Sequence, residues 1–202
     1  MLEGENVVII EGNDQSGKST LCKHLQDLSN GKCHVLHSNY SKILPKNNHR
    51  RQHKLIAKFV RKQFDRRHYT GNNLVILDRN YISDIVYGNI GYGSKGSVKS
   101  KINYLIKLLK IIKKNPTVNV VLIYCDPDKH ELDKTMKDEL LSTKQYHAVQ
   151  KEYDRFFKIE NIKNIVTTTG IKYYLYDYMI DSDFKHIDTY LENIRKEQNT
   201  HD

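Results

Sequence analysis

Short runs of apolar residues recur along this chain, separated by longer stretches in which apolar and polar positions alternate with a helical period. Residues 7–10, 34–37, 74–77 and 118–125 form the short runs. Runs of that length and density suit strands buried on both faces, as in a parallel sheet covered by helices. Between them, 18–28 reads as a helix ended near Gly31, and 48–69 as a long basic helix stopped by Gly71. Residues 102–114 read as a helix whose Ile102, Leu105, Leu109 and Ile112 share one face, ended by Asn115-Pro116. A helix over 143–157, a strand over 173–178 and a helix over 183–195 complete the pattern. Strands alternating with helices, with no internal repeat or low-complexity linker, predict a single α/β domain over 1–202.

Composition narrows the partners. No apolar run approaches the ~20 residues that a membrane-spanning helix needs. The lysines that flank the apolar face of 99–114 resemble a membrane-surface segment, but a helix between two strands is the expected crossover, with its apolar face on the sheet. Thirty-three basic against 24 acidic residues give a net charge of +9, which favours anionic partners: nucleotides, nucleic acid or anionic surfaces. Cys22, Cys33 and Cys125 form no C-x-x-C pair, and the start Met-Leu-Glu-Gly-Glu lacks the regions of a signal peptide, so a reducing, cytoplasmic compartment is expected. Cys33, His34 and His37 lie in a strand-like run without a second ligand cluster, so a metal site there is disfavoured.

Chemistry enters after the first strand. Gly12, Asn13, Asp14, Gln15, Ser16, Gly17, Lys18 and Ser19 match G-x-x-x-x-G-K-[ST], followed by Thr20 on the opening turn of a predicted helix. Backbone N–H groups of such a loop surround phosphate oxygens, glycines leave room for the approach, and the helix N-terminus adds its positive end. Lys18 would neutralise the β- and γ-phosphates of ATP and Ser19 would offer its hydroxyl to Mg²⁺. The apolar strand 74–77 runs into Asp78, which suits a carboxylate holding Mg²⁺ directly or through water. Arg79 follows; it would stabilise charge on the transferring phosphoryl group or hold an acceptor phosphate, its plain structural role being an ion pair with Asp78. Lys18, Asp78 and Arg79 are therefore the expected catalytic residues.

The residues 8–14 running into the phosphate loop, then Leu77-Asp78-Arg79-Asn80-Tyr81, then Tyr124-Cys125-Asp126-Pro127-Asp128, resemble in order the thymidylate kinase and deoxynucleoside kinase superfamily. The resemblance implies a three-layer sandwich of the P-loop NTPase type with a five-stranded parallel sheet, ATP and Mg²⁺ as donor and cofactor, a helical lid at about 128–145, and a homodimer. It also implies that Asp14 contacts the acceptor sugar's 3′-hydroxyl. The basic helix stands where the family binds its acceptor, so Arg51, Phe59 and Arg61 join Asp14 and Arg79 as substrate-binding candidates. One departure stands out: where family members carry a catalytic arginine in the loop or the lid, this loop has Gln15, and no arginine occurs between Arg79 and Arg155. Lys129, Lys134, Lys137 and Lys144 of the lid are the substitutes on offer, with Arg155 beyond them.

The expected activity is transfer of the ATP γ-phosphoryl group to a deoxynucleoside monophosphate. A hydroxyl acceptor needs a base, and nucleoside kinases resembling this chain place a carboxylate just after the second strand. Between Leu28 and Leu77 the sole acidic residue is Asp65, while Arg50, Arg51, Arg61, Arg66 and Arg67 crowd the same stretch. Glu11 or Asp84 would have to serve as a base from elsewhere. A deoxynucleoside kinase, or a nucleic-acid-acting P-loop protein such as a polynucleotide kinase, are the alternatives.

Overall fold

A computed structural model describes residues 5–37, 58, 74–91, 97–114, 118–126, 143–158, 160–177 and 179–199. Five strands, β1 (Glu5–Gly12), β2 (Cys33–His37), β3 (Leu74–Asp78), β4 (Val118–Cys125) and β5 (Lys172–Tyr176), form one sheet in the order β2-β3-β1-β4-β5. All pairings are parallel, so each strand brings its C-terminal end to the same edge. There Ile10 of β1 stands beside Asp78 of β3, and Gly12 beside Cys125 of β4. The central strands are enclosed on both faces, which explains their unbroken apolar runs.

Helices α1 (Lys18–Leu28), α2 (Tyr81–Asn89), α3 (Val98–Ile112), α4 (Thr143–Lys158), α5 (Glu160–Thr169) and α6 (Lys185–Asn199) make the outer layers. Strand alternation sorts the core into two. Val8, Ile10, Ile76, Val121 and Ile123 pack with Leu21 and Leu25 of α1 and Ile187 and Leu191 of α6. Val7, Ile9, Leu77 and Leu122 pack with α2 to α5, through residues such as Ile85, Leu109, Phe157 and Ile165. The result is the three-layer α/β sandwich expected from the sequence, with its five-stranded parallel sheet.

Two helices depart from the sequence reading. The first, α2, has Tyr81, Ile82, Ser83, Asp84, Ile85 and Val86 all buried, so no polar stripe marks it as amphipathic. The second, α5, ends in Val166 and three threonines, a β-branched run with low helix propensity, and stops at Gly170, whose φ of 66° is left-handed. The predicted third helix begins earlier than read, at Val98, because the Ser97 hydroxyl oxygen accepts the Ser100 N–H and caps it. The last strand ends at Tyr176. The predicted basic helix over 48–69 lies outside the described residues except for Lys58, which is helical and exposed. The lid range 128–145 lies outside them up to 142; its last three residues already belong to α4.

Candidate active site

The loop between β1 and α1 is built around two backbone positions that tolerate little else. Gly12 has a φ of 149°, and a Cβ added there would lie 2.4 Å from the Cys125 carbonyl oxygen and 2.8 Å from Ser16 Oγ. Gly17, with a φ of 79°, turns the chain into α1. That helix starts without a side-chain cap. Its first N–H groups therefore suit an anion. Within the loop Ser16 Oγ donates to the Asn13 carbonyl at 2.8 Å, and the Asp14 N–H donates to Asn13 Oδ1 at 2.9 Å. The Lys18 ammonium folds back over the loop, bonding the Asn13 carbonyl and lying 3.3 Å from Ser16 Oγ. Burial lowers its pKa to about 8, and the neighbouring Arg79 charge works in the same direction. Ser19 and Thr20 are exposed on the first turn of α1. Gln15 holds a left-handed φ of 60°.

Asp78 closes β3 with its two oxygens in different circumstances. Oδ2 is 2.7 Å from His37 Nδ1 at the end of β2, whereas Oδ1 is buried and makes no hydrogen bond among the described residues. A buried carboxylate oxygen left without a partner costs free energy, and a hard divalent cation is the kind of ligand that satisfies it. The donor set of Asp78 and the Ser19 hydroxyl is all oxygen, which fits Mg²⁺.

Arg79 does not pair with Asp78. Its backbone takes a left-handed φ of 61°, its N–H donates to the Ile10 carbonyl at 2.9 Å, and its guanidinium turns to the phosphate loop and pairs with Asp14. The same group donates to Tyr87 Oη at 3.1 Å and Tyr153 Oη at 3.4 Å, and lies 5.4 Å from the Tyr87 ring centre. Tyr87 in turn donates to Asp14 Oδ2 at 3.4 Å. Tyr146 holds the loop from α4: its carbonyl accepts from Asn13 Nδ2 and its hydroxyl donates to the Asp14 carbonyl, each at 3.2 Å.

Behind this surface sits Glu11, wholly buried. Its carboxylate accepts the Asn80 N–H at 2.6 Å, the Ser83 hydroxyl at 2.5 Å and the Tyr153 hydroxyl at 3.4 Å. Burial raises its pKa to about 7, against the opposing effect of those hydrogen bonds and of Arg79. Asp84 is also fully buried and pairs with Lys101 Nζ at 3.3 Å. Both carboxylates are thus closed off from an acceptor.

Of the residues expected from sequence, Asp14, Lys18, Asp78 and Arg79 gather at the C-terminal edge of the sheet. Arg51, Phe59 and Arg61 lie outside the described residues, as do Lys129, Lys134 and Lys137. Lys144 is exposed on the first turn of α4. Arg155 is exposed beside Glu152, at 3.7 Å, and lines a crevice of about 490 Å³ with Asn89 and Phe156. Two residues from Tyr153, it faces another side of α4. Sequence reasoning passed over Tyr87, Tyr146, Tyr153 and Ser83, and weighed His37 only as a metal ligand beside Cys33 and His34. The spacing of Tyr146 and Tyr153, seven residues apart on one helix face, was the available signal.

Fold and loop together define a P-loop α/β protein. The YorR protein of Bacillus subtilis, solved in complex with phosphorylated GDP, superposes on 96% of this chain and 98% of its own, with 18% identity and a TM-score of 0.62. A candidate polyphosphate kinase 2 from Pseudomonas aeruginosa matches 95% of this chain and 42% of its own, with 17% identity and a TM-score of 0.57. These likenesses are of fold: the same α/β architecture recurs in both structures. No family model matches the sequence, and no curated protein matches it.

Proposed function

We propose that the chain is an ATP-dependent nucleotide kinase whose acceptor is a deoxynucleoside monophosphate. The observation that carries this reading is Arg79: a partly exposed guanidinium held by Asp14, Tyr87 and Tyr153 directly beside the phosphate loop. A planar cation so fixed suits bidentate binding of a second phosphate next to a polyphosphate donor. Phosphoryl transfer asks mainly for positioning and for positive charge arranged in advance. Lys18 and the loop N–H groups serve the donor, Arg79 serves the acceptor phosphate, and Asp14 reaches the acceptor sugar. Ser19 and Asp78 would hold Mg²⁺, which supplies charge neutralisation between the phosphates. Deoxynucleoside specificity and a homodimer rest on the family resemblance.

An anionic acceptor oxygen needs no base, which agrees with the closure of Glu11 and Asp84. A nucleoside acceptor is the second reading. It is favoured by His37, whose imidazole lies against Asp78 at the end of β2, where nucleoside kinases resembling this chain carry a carboxylate. Incubating the protein with ATP, Mg²⁺ and a panel of nucleosides and their monophosphates decides between them. Higher kcat/KM for the monophosphates is expected; higher values for the nucleosides throughout overturn the first reading.

A further inference from the structure

Glu11 touches neither the donor nor the acceptor phosphate in the proposed reaction, yet it lies one residue before the phosphate loop. Glu11 occupies a core position: Val7, Ile9 and Glu11 alternate onto the sheet face that packs against α2 and α4, where an apolar residue belongs. A carboxylate in that place is costly unless its hydrogen bonds do something an apolar residue cannot. Its partners converge on one neighbour. The Asn80 N–H it accepts belongs to the peptide immediately after Arg79, whose own N–H is bound by Ile10, the residue before Glu11. The left-handed turn at Arg79 is therefore gripped from both sides by consecutive residues of β1.

The far end of Arg79 leads back to the same carboxylate. A guanidinium only donates, so Tyr153 Oη accepts from Arg79 at 3.4 Å and its own proton points away. Burial holds the Tyr153 phenol well above its ordinary pKa, so it keeps that proton. The Ser83 oxygen, 2.7 Å away, receives it, with the Glu11 carboxylate at 3.4 Å as a second and longer acceptor, because the Ser83 proton is committed to Glu11 at 2.5 Å. Every bond runs one way, from Arg79 through Tyr153 and Ser83 to the carboxylate. A neutral amide in place of the carboxylate would donate to Ser83, Ser83 would then donate to Tyr153, and the oxygen that Arg79 uses would have an incoming proton to accommodate.

We infer that Glu11 is the positioning residue for Arg79, fixing its backbone through Asn80 and its guanidinium through Ser83 and Tyr153 so that it meets the acceptor phosphate. The acceptor part of this statement rests on the proposed function; the positioning part does not. Two isosteric variants test it at pH 8: Glu11→Gln, which reverses the relay, and Tyr153→Phe, which removes one hydroxyl but keeps the ring beside Tyr124 and Phe157. The Arg79 guanidinium ¹⁵N resonance, assigned by its loss in Arg79→Lys, reports its restraint without reference to turnover. Steady-state kinetics with ATP and the best monophosphate report its use.

Loss of one charge-assisted bond predicts that both variants speed rotation of the Arg79 guanidinium, which keeps its pairing with Asp14, and raise the acceptor KM by ~10-fold. The ATP KM changes by less than ~2-fold, a split that general loosening of the core would not produce. An unchanged guanidinium signal in both variants overturns the inference, as does an equal rise in both KM values. Should Glu11→Gln fail to fold, Tyr153→Phe decides by the same criteria. If the wild type turns over no monophosphate yet both variants release Arg79, the positioning role stands and the functional reading falls.

Discussion

Ser83 and Asp84 are consecutive on α2, yet they belong to two buried charge systems of opposite kind. Asp84 faces Lys101 of α3; the ammonium bonds both its carboxylate, at 3.3 Å, and its backbone carbonyl, at 2.9 Å. Both side chains of that pair are almost fully enclosed. Ser83 faces Glu11, and from there the bonds lead outward to a guanidinium with 16% of its side chain exposed, at the phosphate loop. A pair whose members answer each other fastens two helices. A chain of bonds that ends on a partly exposed cation fastens something a ligand can reach. The comparison teaches where to look for function among buried charges: at the end of the network, not at its most buried member.

The sharpest way to break this comparison is to remove Lys101. Taking the ammonium away from the buried Asp84 carboxylate in Lys101→Ala is expected to destabilise the fold by ~3–5 kcal/mol, with kcat/KM of the molecules that remain folded within ~3-fold of wild type. Denaturant unfolding and kinetics at low temperature check both halves. Lys18→Ala should do the reverse. Its ammonium bonds the loop carbonyl of Asn13 and, on the proposed function, meets the donor phosphates, so turnover should fall by ~10²–10³-fold while the unfolding midpoint changes little. Near wild-type turnover in that variant would remove the loop from the catalytic machinery.

Acidity offers a subtler contrast. The Glu11 carboxyl is raised in the folded protein from 4.5 to about 7, with Arg79, Tyr153 and Cys125 as its charged or titratable neighbours. The folded state then binds the proton more tightly than the unfolded one. Its stabilising contribution is full below pH 4.5 and is lost as pH rises through 7, up to ~3 kcal/mol in all. Urea unfolding at pH 5 and pH 8 should show wild type losing more stability across that interval than Glu11→Gln; equal losses would mean that the carboxyl titrates normally. The smallest effect belongs to the crevice beside α4. Arg155→Ala removes an exposed side chain with one long ion contact, so stability should change by less than ~0.5 kcal/mol and turnover by less than ~2-fold. A large loss of kcat there would instead give Arg155 the role of the missing arginine.

Much of the fold was legible because its strands are buried on both faces and the phosphate loop names its own context: Gly12 and Gly17 are required by backbone geometry that the motif already implies. Helix α2 was hidden by total burial, and α5 by threonines that favour strands. In the site, Asp14, Lys18, Asp78 and Arg79 could be read from order along the chain. Their partners could not. Arg79 was expected beside Asp78 because they are adjacent, but β3 ends between them and the left-handed turn at Arg79 sends its guanidinium across to Asp14. Glu11 was legible as a charge in an apolar strand and as a base acting from elsewhere, and the meaning of that charge depends on Tyr153, 142 positions away.

The left-handed backbone at Gln15 carries a consequence for how this chain responds to variation. At a φ of 60° a glycine is relieved of the steric cost that any side chain bears, so Gln15→Gly should stabilise the folded protein by up to ~1 kcal/mol. A library of variants sorted by abundance in cells would then enrich glycine at position 15, while the same library sorted by phosphoryl transfer would retain glutamine if its amide meets a phosphate. The distance between the two rankings measures how much stability the loop gives up for its side chain. That measurement needs no knowledge of the substrate beyond an assay for turnover.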